Sequence, residues 1–304
     1  MKKLLERYFP VMRSHPERVA NWQRHRNPKR DPRLSSADFN VVNYITHAPV
    51  AGAADRKILF ISDWHWHNSK KNFRQLASLE KKAAEIQPDI VVLGGDIVED
   101  ADVMSALPEV LSRLRKLAPE CIAVRGNWEV GKRWIAGEIW EKLYADAGIT
   151  LLCNQSVVYG AIRFHGIDDI TSGTSSLPEK LDPAMLRPGS AALAEIIVTH
   201  SPDTVLALDN GMDLYRYDMA LCGHCHGGQI RIPLLGAIFS PSRYGKSFLK
   251  GCFIHKKSCM RMIVSAGMGE KRRSFRLFCR PEIVLLTFRK ARHYRYRGGS
   301  TAQE

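Results

Sequence analysis

Seven residues of metal-binding type stand directly after short apolar runs. Asp63 and His65 follow Lys57–Ser62, and Asp96 follows Ile90–Leu93 across Gly94-Gly95. Asn127 follows Cys121–Val124 across Arg125-Gly126, His200 follows Ile196–Thr199, and His224 and His226 follow Asp218–Cys222. Short apolar runs bounded by turn residues read as buried strands. In open α/β sheets, ligand sites lie beyond the carboxyl ends of strands. A lone histidine after a strand is usually structural. Two carboxylates, one amide and four imidazoles, all at strand ends, are not explained by packing. Buried together without a cation, the carboxylates would carry unpaired charge costing several kcal/mol.

This donor set suits two divalent cations. Carboxylate, amide oxygen and imidazole favour Mn, Fe, Zn or Co over Ca, which prefers an all-oxygen shell. Asp63 and His65, two apart on an extended segment, can flank one ion if the backbone kinks after its strand. Asp96 can bridge two ions roughly 3.5–4 Å apart, a spacing that activates a shared water and clamps the oxygens of a phosphoryl group.

The elements that must position these residues alternate. Lys70–Ile86 carries Phe73, Leu76, Leu79, Ala83 and Ile86 at helical spacing, and Val103–Leu117 reads as a second helix. Such β-α-β-α-β alternation predicts an α/β fold with a mostly parallel sheet covered by helices. Thr150–Cys153, Ser156–Tyr159 and Ala161–His165 read as short antiparallel strands. Met260–Ser265 and Glu282–Thr287 complete the set. Trp64 and Trp66 flank His65 and are expected at the cleft mouth. Asp168-Asp169 is expected in a turn, and Gly227-Gly228 lets the backbone approach a ligand.

With 304 residues, 45% hydrophobic, the chain can bury a full core, which excludes global disorder. The net charge is +14, and it is unevenly placed. Residues 1–54 hold 10 basic and 4 acidic residues, residues 55–240 hold 19 and 24, and residues 241–304 hold 16 and 3. Both ends are therefore basic and the middle is mildly acidic. Basic ends attract phosphate-rich partners, either nucleic acid or an anionic membrane surface. Residues 1–54 read as a basic extension before a core at 55–290, with a basic tail at 291–304. Within the extension, Leu4, Leu5, Tyr8, Phe9 and Met12 share one helical face suited to a membrane interface or to the core itself. Residues 21–38 read as a loop. No apolar run approaches the roughly 20 residues of a membrane span, and Glu6, Arg7 and Pro10 interrupt any signal-peptide core. Seven cysteines, with Cys222 and Cys225 in C-x-x-C spacing, read as free packed thiols of a reducing compartment. The expected place is cytoplasmic, peripheral at the inner face of the membrane.

The ordered fragments Asp63-Trp64-His65, Gly95-Asp96, Gly126-Asn127, His200 and Gly223-His224-Cys225-His226 resemble the signature of calcineurin-like metallophosphoesterases. His200-Ser201-Pro202-Asp203, His226-Gly227-Gly228-Gln229 and Arg280-Pro281-Glu282-Ile283 look like the bacterial branch with phosphodiesterases and UDP-2,3-diacylglucosamine pyrophosphatases. The resemblance implies a two-sheet β-sandwich flanked by helices, in four layers. It gives one metal to Asp63, His65, Asp96 and His226, and the other to Asp96, Asn127, His200 and His224, with manganese first among the ions. It implies hydrolysis of a phosphodiester or pyrophosphate by metal-activated water.

One departure stands out. The family reads G-N-H-[DE], whereas this chain reads Gly126-Asn127-Trp128-Glu129. That histidine commonly contacts the phosphate or protonates the leaving group, and an indole only donates. The choices are a scaffold without turnover, another acid such as His67, or a substrate whose leaving group needs no proton. The third is favoured, with His67 or Arg125 assisting beside Asp96 and Asn127, because a phosphoanhydride releases a stable phosphate monoester. A membrane-lipid or nucleotide-lipid substrate such as UDP-2,3-diacylglucosamine then ranks above a nucleotide or nucleic acid.

Overall fold

The computed structural model describes residues 16–25, 32, 34–99, 103–131, 135–169, 193–208, 214–270 and 275–290. The amphipathic segment at Leu4–Met12 and the tail at 291–304 lie outside the described residues.

Two sheets face each other. The first runs β2-β15-β3-β4-β5-β6, with β2 at Asn40–His47, β3 at Lys57–Ile61, β4 at Ile90–Leu93, β5 at Glu120–Ala123, β6 at Thr150–Leu151 and β15 at Glu282–Arg289. The second runs β1-β13-β14-β10-β9-β8-β7. Its strands are β1 at Trp22–Arg24, β7 at Gln155–Tyr159, β8 at Ile162–Ile167, β9 at Ala194–Thr199, β10 at Met219–Cys222, β13 at Gly251–His255 and β14 at Arg261–Val264. The apolar runs are continuous because both faces of a strand are covered. In β3, Ile58 and Phe60 enter the layer between the sheets. Leu59 and Ile61 face the layer under helices Lys70–Ile86 and Leu107–Arg115. A third apolar layer backs the second sheet with Val205, Leu206, Phe248 and Leu249. This is the expected helix-flanked two-sheet sandwich.

Several local expectations change. Asn40–His47, read as extension, pairs in parallel with β15 along its whole length, from Asn40↔Glu282 to His47↔Arg289. It covers an edge that a long apolar strand could not leave open. Trp22–Arg24, read as loop, pairs antiparallel with β13, and Trp22 is buried. β6 is parallel to β5, whereas β7 and β8 form an antiparallel pair in the other sheet. The second helix begins at Leu107, where Pro108 falls in its first turn. Gly137–Asp146 is a helix the sequence reading does not include; only Trp140 and Tyr144 are buried on it. Phe73 is partly exposed on its helix, edge-on against buried Trp66, and lies outside the buried core.

Candidate dinuclear metal centre

Every one of the seven residues lies just past a strand end, at the same rim of the sandwich. The first sheet brings Asp63 and His65 after β3, Asp96 after β4 and Asn127 after β5. The second brings His200 after β9, and His224 and His226 after β10. Backbone strain does the aiming. Asp63, His65, Asp96, His224 and His226 all have positive φ, between 48° and 69°. Non-glycine residues rarely adopt that region, and it clusters at functional sites. The kinks at Asp63 and His65 also correct the expectation for their neighbours. Trp64 and Trp66 turn inward, fully buried, 5.2 Å apart edge to face. They are core residues, not the cleft mouth.

The donor atoms converge. Donors of Asp63, His65 and His226, and of Asp63, Asp96 and His200, lie within 4.8 Å of one another. His65 and His226 stack with their Nε2 atoms 3.0 Å apart. Asn127 Oδ1 lies 2.9 Å from His224 Nδ1 and 3.1 Å from His200 Nε2. Asp96 Oδ2 is 3.2 Å from His200 Nε2 and 3.7 Å from His65 Nε2.

These distances fit cations. His200 Nδ1 donates to the carbonyl of Gly94 at 2.8 Å, so in the neutral ring Nε2 is a bare lone pair. That lone pair faces the carboxylate of Asp96 and the amide oxygen of Asn127. Acceptors aimed at acceptors need a positive charge between them, and the carbonyl partner is what orients a metal-binding imidazole. Without a cation, protons stand in for the missing positive charge. Burial, then the charge of Asp96, push Asp63 up to about 6, against the pull of His200. Burial opposes a protonated His200, but Asp96 outweighs it and holds that ring well above its ordinary value.

The close approach depends on glycines. A Cβ on Gly126 would sit 2.2 Å from Asp96 Oδ1, and one on Gly223 would sit 2.3 Å from Asp63 Oδ2. Two supporting residues are absent from the sequence reading as functional groups. Glu129, fully buried, accepts the N–H groups of Asp96 at 2.8 Å, Ile97 at 2.7 Å and Gly126 at 2.8 Å, fixing the Asp96 loop. Its place two residues after Asn127 was the available signal. Arg276 donates to the carbonyls of Ala266 at 2.7 Å, Gly269 at 2.8 Å and His226 at 3.3 Å. Nothing local marks it, because 50 residues separate it from His226.

The remaining predicted residues sit around this centre. His67 is half-buried; its Nδ1 donates to the carbonyl of His65 at 2.8 Å, and its N–H donates to Asn72. Arg125 holds Asp168 with Nη2 at 2.6 Å and Nε at 3.3 Å. That pair staples the end of β5 to the end of β8, so Asp168 is a partner across the two sheets. The indole of Trp128 stands edge-on to His65 at 5.6 Å, and its backbone N–H donates to Asp96 Oδ1 at 2.8 Å. Cys222 and Cys225 are buried free thiols whose burial raises them well above the ordinary range.

A two-sheet sandwich with Asp and His donors converging at one rim is compatible with a dinuclear metal site. The family model described as Calcineurin-like phosphoesterase matches residues 56–228, and the chain belongs to that family. It is a metal-dependent phosphoester hydrolase. Phosphodiesterase YaeI of Escherichia coli (strain K12) is 32% identical over 247 residues, 77% of this chain and 82% of that protein. The Bacillus subtilis (strain 168) protein YkuE, named an uncharacterized metallophosphoesterase, is 30% identical over 212 residues, 67% of this chain and 69% of that one. A dimetal phosphatase from Danio rerio aligns over 77% of this chain and 99% of that chain, with TM-score 0.43 and 12% identity.

Proposed function

We propose that the chain hydrolyses a phosphodiester or pyrophosphate bond in a membrane-lipid or nucleotide-lipid substrate such as UDP-2,3-diacylglucosamine, working peripherally at the inner face of a membrane. Trp128 carries this reading, because the leaving group must depart without the histidine that commonly stands there. When bound, two divalent ions, manganese first among them, supply a deprotonated water and neutralise the phosphoryl oxygens. Asp63, His65, Asp96 and His226 are the proposed donors to one ion, and Asp96, Asn127, His200 and His224 to the other. Trp128 packs beside His65 and excludes water from that side. Arg125, fixed by Asp168, holds its guanidinium at the rim beside Asn127, where its remaining donors can meet a phosphoryl oxygen. His67 is a further side chain placed to assist; with Nδ1 donating to the His65 carbonyl, its neutral ring presents Nε2 as a proton acceptor.

The test is hydrolysis of bis-p-nitrophenyl phosphate and of UDP-2,3-diacylglucosamine by the manganese-loaded full chain, with Asp96→Ala as control. Cleavage of both, lost in the control, is expected. If both stay intact, the reading fails. If only nucleic acid or cyclic nucleotides are cleaved, the lipid half is wrong.

A further inference from the structure

The surface beside His226 differs from the rest of the molecule. Strands β11 (Arg231–Ile232) and β12 (Gly236–Ala237) form a hairpin outside both sheets, with Arg231 opposite Ala237. Its turn is Pro233-Leu234-Leu235. Leu234 stands fully in solvent at φ 68°, and Leu235 is 78% exposed. Such a turn favours glycine or asparagine, so neither turn chemistry nor packing selects these leucines. Ile238 and Phe239, just after the outgoing strand, are also more than half exposed.

A second segment extends the patch. Arg231 N–H donates to the carbonyl of Leu277 at 2.9 Å, and Leu277 N–H donates to that of Gln229 at 3.0 Å. This pairing lays Phe275 and Phe278, 60% and 69% exposed, along the base of the hairpin. Monomeric soluble proteins rarely expose contiguous apolar patches of this kind without a function.

The patch leads to the metal centre. A pocket of about 250 Å³ is lined by His226, Gly228, Ile230, Ile238, Phe239 and Pro241 among others. Its far wall is firmly tied, because buried Asp203 accepts from Ser242 Oγ at 2.5 Å and Arg243 N at 2.7 Å. The apolar surface is thus held in register with His200, three residues before Asp203.

Charge selects the occupant. Residues 219–250, which include the hairpin and its flanks, contain no Asp or Glu and four basic residues, Arg231, Arg243, Lys246 and Lys250. Arg243 and Lys246 are exposed just after the hairpin. A second copy docked patch to patch would bring two such basic stretches together, and like charges oppose that. An anionic bilayer offers apolar depth for the leucines and phosphates for the basic rim. We infer that the hairpin at 230–239, with Phe275 and Phe278, inserts into the headgroup–acyl boundary of an anionic membrane and sets the His226 pocket at the level of the lipid phosphates. The inference deepens the lipid reading and rests on it for its purpose, but the binding is measurable without any hydrolysis.

The experiment is co-sedimentation of the full chain with vesicles of about three parts phosphatidylcholine to one part phosphatidylglycerol. Wild type is expected to sediment, and to bind more weakly to phosphatidylcholine alone. Leu234→Ser/Leu235→Ser is expected to lower the vesicle-bound fraction at least about tenfold, with bis-p-nitrophenyl phosphate hydrolysis within about twofold of wild type as proof of folding. Phe278→Ser, on the neighbouring segment, is expected to act in the same direction. The inference is overturned if wild type does not bind vesicles, or if both variants bind like wild type. It is equally overturned if the double variant merely turns a dimer into a monomer. Vesicle binding without hydrolysis of either substrate would sink the proposed function and leave this inference standing.

Discussion

The two sheets supply different halves of the centre, and they hold them differently. The first sheet contributes both carboxylates, the amide of Asn127 and His65; the second contributes His200, His224 and His226. On the first, the loops are gripped by backbone. Glu129 takes three N–H groups around Asp96, and Gly126 packs against the Asp96 carboxylate with no room for a Cβ. On the second, the His200 ring is steered by a bond to the Gly94 carbonyl, and the chain around His226 is held by the Arg276 clamp. Two buried carboxylates repel each other until a cation arrives, so their loops must resist opening. An imidazole acts as a donor once it is correctly oriented.

The sharpest break of this comparison is Asp96→Ala against His224→Ala. Asp96 is the proposed shared donor, so its loss should remove both ions and lower turnover on the order of 10³-fold, equivalent to several kcal/mol of charge stabilisation. His224→Ala should remove one ion and leave the other, as counted by metal analysis. Equal stoichiometry in the two variants would show that Asp96 does not bridge. Next in size is Glu129→Gln. The amide replaces one acceptor oxygen by a donor, so metal affinity or activity should fall about 10–100-fold. Activity near wild type would show that the Asp96 loop does not need that carboxylate.

Gly126→Ala tests the packing of the same loop. Its Cβ would collide with Asp96, so overpacking should destabilise by about 1–3 kcal/mol, read as a fall in Tm. An unchanged Tm would mean the loop has slack. Trp128→His should have the smallest effect on UDP-2,3-diacylglucosamine and a larger one, about tenfold faster, on diesters with poor leaving groups. An equal gain on both substrates would contradict the account of the leaving group.

Asp63 adds a pH arm. Its carboxyl is raised from 3.8 to about 6, first by burial and then by Asp96. In the metal-free protein this group therefore contributes stability that is full below about pH 4 and is lost as pH rises through about 6. A cation must displace that proton, so metal affinity should weaken as pH falls below about 6, which titration calorimetry would follow. Flat affinity from pH 5 to 8 would remove Asp63 from the donor set.

The local sequence determined the strands and the residues at their ends. Apolar runs such as Ile58–Ile61 and Ile90–Leu93 can only be buried on both faces, and donors placed after them must gather at one rim of a sheet. What it left open concerns relations across distance. Pairing of Asn40–His47 with β15 depends on an unpaired edge more than 230 residues away, and a polar-edged strand reads much like loop. Arg276 reaches the carbonyls around His226, and Arg125 reaches Asp168, through chain paths no local pattern encodes. Trp64 and Trp66 went inward because positive φ at Asp63 and His65 overrides simple alternation. The leucines at 234 and 235 are ordinary core residues by type, and only the tertiary structure, by setting them out on an exposed hairpin turn, turned them into a surface.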